Sequence, residues 1–140
     1  MADEPATTRF LNVDLDLRAR SGLAELVRAL EPTMSVMNHH GDFASLELHE
    51  QPEDIDDAMR RFVELIHALP PEVRALWDGC ESRQMNIGIQ AGAEPHSIGF
   101  GLSFHSMRLL VGIGAEVEFI VYGARSCANA PEALTPRGEP

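Results

Sequence analysis

The chain has 140 residues, 44% of them hydrophobic, and 22 acidic residues set against 11 basic ones give a net charge of −11. That length implies a single domain with interior enough to fold without a disulfide or a metal, and the composition is not that of a disordered chain. No apolar run approaches the roughly 20 residues of a membrane helix, and an acidic surface repels a phosphate backbone, so neither a membrane nor a nucleic acid is an expected partner.

The opening "MADEPATTRF" has no apolar leader, so the expected location is the cytoplasm. There Cys80 and Cys127 would stay reduced. Residues 1–8 read as a lead-in, 9–123 as one domain, and 124–140 as a flexible C-terminal tail without periodicity.

Within the domain, "RFLNVDLDLRA" alternates. Leu11, Val13, Leu15 and Leu17 fall on one side, and Asn12, Asp14, Asp16 and Arg18 on the other. A period of two predicts a half-buried strand. "SGLAELVRALEP" follows as a helix with Ser21 as its cap, Leu23, Leu26, Val27 and Leu30 as its apolar stripe, and Pro32 as its stop. "MSVMNHHGDFASLELHE" predicts two strands around a turn at "NHHGD", with Ala44, Leu46 and Leu48 inward and Ser45, Glu47 and His49 outward.

"QPEDIDDAMRRFVELIHALPP" has the strongest helical period, through Ile55, Met59, Phe62, Ile66 and Leu69. Pro52 suits its first position, and the acidic residues crowd its start, where the helix dipole favours anions. "PEVRALWDGC" predicts a shorter helix. "RQMNIGIQAG" and "SIGFGLS" alternate as strands, Ser103 can cap a helix over "FHSMRLLVGIG", and "AEVEFIVYG" closes the domain as a strand. The expected fold is α+β: a mostly antiparallel sheet with helices on one face, built from pseudo-duplicated strand–helix–strand units.

Several groups could carry chemistry. His39, His40, Asp42 and His49 contain the residue types of a two-histidine, one-carboxylate metal set. No metal-binding spacing accompanies them, and turn histidines are the simpler reading, so neither a metal nor a cofactor is expected. Asp14, Glu47 and His49 fall on one polar sheet face with Asn12, Asp16, Asn86, Gln90 and Glu118. They could serve as general acid and base, but only if that face is concave; otherwise it is the solvated side of an open sheet. Gly88, Gly99 and Gly101 would leave a patch on the same face without side chains, where a ligand, the tail or a partner could sit. Glu50, Glu53, Asp54, Asp56 and Asp57 form an acidic strip that reads either as a solvated helix start or as a surface for a basic protein.

The strand "FLNVDLDL", the helix ending "ALEP", the "MNIGIQ" and "SIGFGLS" strands and the closing "GIGAEVEFIVYG" together resemble a family of small bacterial α+β proteins of unknown function, some suspected to be toxin-immunity proteins. The resemblance spans residues 9–123 and is carried by structural phrases, so it implies no catalytic residue. It favours a non-catalytic domain that binds a basic protein such as a toxin. The alternatives are a small enzyme or ligand-binding protein using the face around His49, and a homodimer in which that face, with Ile120 and Tyr122 near its centre, is covered by a second copy. Monomer and homodimer both remain open at this level.

Overall fold

The computed structural model of the protein describes residues 7–124. Nine elements follow in order: β1 (Arg9–Arg18), α1 (Leu23–Leu30), β2 (Met34–His40), β3 (Phe43–Leu48), α2 (Ile55–His67), α3 (Pro71–Asp78), β4 (Ser82–Gln90), α4 (Phe104–Gly112) and β5 (Glu116–Tyr122). The strands form one sheet in the order β2-β3-β1-β4-β5. β1 pairs antiparallel with β3 and β4, and β2 antiparallel with β3, whereas β4 and β5 are parallel. The fold is α+β with a mixed sheet. Among the described residues no helix is long and apolar enough to cross a membrane.

The alternating strands turn Val13, Leu15, Leu17, Ala44, Leu46, Met85 and Ile87 to one face, where all are fully buried. The apolar stripes of α1 and α2 cover them, with Phe62, Ile66 and Leu26 at the centre. Trp77 of α3 is wholly buried, and its Nε1–H donates to the Ile113 carbonyl at 2.8 Å. Arg83 donates to the carbonyls of Trp77, Cys80 and Gly114. Together these bonds tie the end of α3 to the turn that leads into β5. Among the described residues the opposite face of the sheet carries no helix.

The departures from the sequence reading have local causes. Residues 97–103 form no strand: Gly99 and Gly101 alternate through a segment with few side chains to pack, and α4 instead crosses over to lay β5 parallel beside β4. The two strand–helix–strand units also differ, since β3 separates β1 from β2 while β4 and β5 are neighbours. A bulge falls between Phe10 and Asn12. It takes Leu11 out of the predicted inward set and places Phe10 against the core. The Gln51 side chain donates to the carbonyl of the bulged Leu11.

The cap of α1 is Gly22 rather than Ser21. Its φ is 79°, and a Cβ there would stand 2.8 Å from Leu76 of α3, so the position requires glycine. The long helix starts at Ile55 and not at Pro52, because the Asp54 side chain accepts from the Asp57 N–H and caps it there. His39 and His40 belong to β2, and only Gly41 and Asp42 form the turn. Of these two, only Gly41 has positive φ, as a two-residue hairpin with glycine first requires. Thr7 and Thr8 are tied to the loop at Gly92 and Glu94. Most of the predicted lead-in and nearly all of the predicted tail lie outside the described residues.

Candidate functional site

On the helix-free face the pairing registers align one row of residues across the sheet. Ser35 pairs with Glu47, Glu47 with Asp14, Asp14 with Asn86, and Asn86 with Glu118. In the next row Asn12 pairs with Gly88 and Gly88 with Ile120. Between these rows and Tyr122 lies a hollow of about 520 Å3, lined by Leu11, Asn12, Asp14, Glu47, Asn86, Gly88, Gln90, Ile120 and Tyr122. That volume is in the range of small-molecule or side-chain pockets. Gly88 sits under the Tyr122 ring: a Cβ on it would come 3.6 Å from the ring and from the Asn12 carbonyl. A larger residue at 88 would fill the hollow.

The chemistry of the lining is one-sided. Asp14 and Glu47 are directly opposed on adjacent strands, an arrangement that disfavours two like charges. Among the described residues no basic side chain joins them in the lining. The Asp14 carboxyl is pushed up to about 6, first by burial and then by the neighbouring charges of Glu47 and Asp16. Asn86 is 7% exposed. Its Nδ2 donates to Asp16 Oδ2. A carboxylate only accepts, so this bond fixes the amide's orientation. Among the described residues the Asn86 Oδ1 is then left buried without a partner, as is the Oδ1 of Asn12. Buried acceptors without donors are rare and costly in folded proteins. Acceptors dominate the lining, and these two amide oxygens meet no donor among the described residues.

Of the residues read as an acid–base set, Asp14 and Glu47 come together and His49 does not. His49 follows the last residue of β3 and lines a separate shallow depression with Arg61 and Glu64. The three glycines also separate. Gly88 floors the hollow, while Gly99 and Gly101 lie in the irregular loop beside Phe10 and Asp54. Added Cβ atoms at those two positions would meet nothing within 4 Å, so no backbone or side chain crowds them.

The acidic strip is largely engaged by the chain itself. Asp54 caps α2, and Asp57 accepts from the Glu53 N–H and pairs with Arg60 and Arg61. Asp56 accepts from the Ser103 N–H and the Ser106 hydroxyl, joining α2 to α4. Both carboxyls are lowered, Asp56 chiefly by the Ser106 hydroxyl and Asp57 chiefly by the Glu53 N–H. Glu50 lies 3.6 Å from Arg61 and is mostly exposed.

Among the described residues no group of three or more His, Cys, Asp or Glu is placed to hold a metal ion. The His40 ring instead lies within hydrogen-bond distance of Asn38 and tilts against Phe43. Cys80 is buried and free, its thiol pushed up by that burial. Leu11 is a site residue that the strand pattern missed, whereas Tyr122 was expected on this face with Ile120. Leu11 enters through the bulge, and Tyr122 through the parallel placement of β5.

Comparison with family models, with curated proteins and with solved structures finds no match for this chain. The site is therefore defined by its own geometry as an acceptor-lined hollow on the open face of an α+β sheet.

Proposed function

We propose that the protein is a non-catalytic binding domain for a basic protein partner, and that an arginine or lysine side chain of that partner enters the hollow beside Asp14 and Glu47. The observation that carries this reading is the pair of buried amide oxygens, on Asn12 and Asn86, left without donors next to two opposed carboxylates. A guanidinium or ammonium group brings several N–H donors and a positive charge, which answers both deficits at once. Tyr122 offers a ring against which a guanidinium can stack. The net charge of −11 would steer such a partner toward the domain at low salt. Masking the cationic surface of a toxin is one role that such a domain would serve.

Titration of the full chain with an arginine-rich peptide, followed by amide NMR shifts at low and high salt, tests the proposal. Shifts centred on Asn12, Asp14, Glu47 and Asn86 that weaken with salt are the expected result. Absence of any shift at low salt would overturn it.

A second reading is a small enzyme using the same pair of carboxyls as general acid and base. Its support is the Asp14 carboxyl near 6 in a concave site. His49 takes no part in it. The two readings separate on a small neutral ligand, which the enzyme reading accepts and the cation reading rejects.

A further inference from the structure

Among the described residues β5 is the last strand of the sheet and is paired on one side only. The Tyr122 carbonyl accepts from the Ala91 N–H. In a parallel ladder this alternation means that the even-numbered residues of β5 face β4, while Val117, Phe119 and Val121 turn their N–H and C=O groups to the free edge. Open edges are normally blunted by a bulge, a proline or charged side chains. The other edge of this sheet follows that rule. β2 carries a register shift between Val36 and Asn38 and ends in the exposed polar run Asn38, His39 and His40. β5 has no bulge and no proline, and its charged side chains are Glu116 and Glu118 alone.

The side chains around this edge are also unusual. The described residues include eight exposed large hydrophobics, and six of them lie on α4 or β5: Phe104, Met107, Val111, Phe119, Val121 and Tyr122. The three on α4 recur at helical spacing as one stripe. α4 packs its opposite side on α2, to which Ser106 is hydrogen-bonded through Asp56. α2 in turn lies on β1. The apolar stripe of α4 is thus exposed on the side away from α2, and Phe119 and Val121 are exposed on the helix-bearing face of β5.

We infer that the occupant of this edge is a second copy of the chain, with β5 pairing antiparallel to its mate about a two-fold axis at Phe119. The edge is self-complementary in that register. Phe119 meets Phe119, Val117 meets Val121, Glu118 meets Ile120 and Glu116 meets Tyr122, so no two carboxylates are opposed. The outward N–H and C=O groups of Val117, Phe119 and Val121 all find partners. Moving the axis to Val117 would set Glu116 against Glu118 and leave the end of the strand unpaired. The axis passes through the sheet edge and leaves the Asp14 hollow open on its own face. This dimer therefore differs from one that would cover the polar face, and it stands independently of the cation reading.

Each copy carries −11, so long-range repulsion opposes the dimer and salt screening strengthens it. Sedimentation equilibrium of the full chain at about 0.05 and 0.5 M salt is expected to show a dimer that tightens with salt. Phe119→Lys, and independently Val121→Lys, should raise the dissociation constant on the order of 100-fold while circular dichroism stays unchanged. In a Cys127→Ser background, Phe119→Cys should form a disulfide with itself across the axis, and Val121→Cys should not, because its mate is Val117. A chain monomeric at both salt concentrations up to the millimolar range overturns the proposal. So does a dimer that survives both lysine substitutions, or one that links through residue 121 and not 119.

Discussion

Two acidic clusters in this protein look alike in sequence and behave in opposite ways. At the start of α2, Asp54, Asp56 and Asp57 each accept hydrogen bonds from the chain, and the Asp56 and Asp57 carboxyls are lowered. On the open sheet face, Asp14 and Glu47 oppose each other beside two unpartnered amide oxygens, and the Asp14 carboxyl is raised to about 6. One cluster is consumed in holding α2 and α4 together. The other is left with acceptors that folding does not satisfy. Density of charge alone does not single out a binding surface, because folding itself can consume it; buried acceptors without donors are what the proposed site rests on.

The largest expected effect separates stability from binding at the second cluster. The double substitution Asp14→Asn with Glu47→Gln removes the opposed charges and keeps the shape. Affinity for an arginine-rich peptide should fall on the order of 100-fold, read by titration calorimetry. The fold should become more stable above pH 6, by about 1 kcal/mol once solvent screening is allowed for. A variant that loses binding while gaining stability is the signature of a site kept at a cost to the fold. Loss of both together would instead mark the pair as structural.

The first cluster should respond the other way. Asp56→Ala removes acceptors from the Ser103 N–H and the Ser106 hydroxyl, so urea unfolding should show a loss of about 1–2 kcal/mol. Asp54→Ala removes the α2 cap at a cost of about 1 kcal/mol. Neither substitution should alter peptide affinity beyond a small salt-dependent change.

The faces of β1 and β3 were legible as alternation, and so was the fact that Asp14 and Glu47 share one of them. Their direct opposition was not. It depends on β1 pairing with β3 across the hairpin that follows, a long-range choice that no local period encodes. The bulge at Leu11 was hidden for a related reason: one extra residue in a strand leaves the alternation on either side intact while reversing the face of what precedes it. Tyr122 joined the hollow because α4 carries the chain over to a parallel position beside β4. The expected strand over residues 97–103 does not form, and β5 is the strand that pairs with β4. At α2 the helical period was plain, but the capping bond at Asp54 set its start three residues later than Pro52 suggested.

The two clusters also give stability an opposed dependence on pH. Asp56 and Asp57 have lowered carboxyls in the folded state, so what they contribute is present above the ordinary carboxylate range and is lost as pH falls through their lowered values. Asp14 is raised, so its contribution is complete below its ordinary value of 3.8 and is lost as pH rises through about 6. Stability governed by these groups should peak between those limits. Chemical denaturation across pH 3 to 8 should show the alkaline side of that peak flatten in Asp14→Asn and the acid side flatten in Asp56→Asn. A single carboxyl accounting for both sides would remove the contrast between the clusters.

The smallest effects concern the glycines, and they sharpen the contrast between a built site and an open loop. Gly99→Ala and Gly101→Ala place a methyl group in free space, without positive φ to strain. Each should leave peptide affinity unchanged and shift stability by less than about 0.5 kcal/mol, upward if anything because the unfolded chain loses freedom. Gly88→Ala adds a methyl at ordinary contact distance from the Tyr122 ring and the Asn12 carbonyl, so the fold should again tolerate it. A longer side chain there must enter the hollow itself. Gly88→Leu should therefore abolish binding while Gly88→Ala weakens it only slightly, a graded loss that titration of the same peptide would resolve. Equal affinity in both variants would mean that the bound group sits elsewhere on the sheet face, beyond the reach of Gly88.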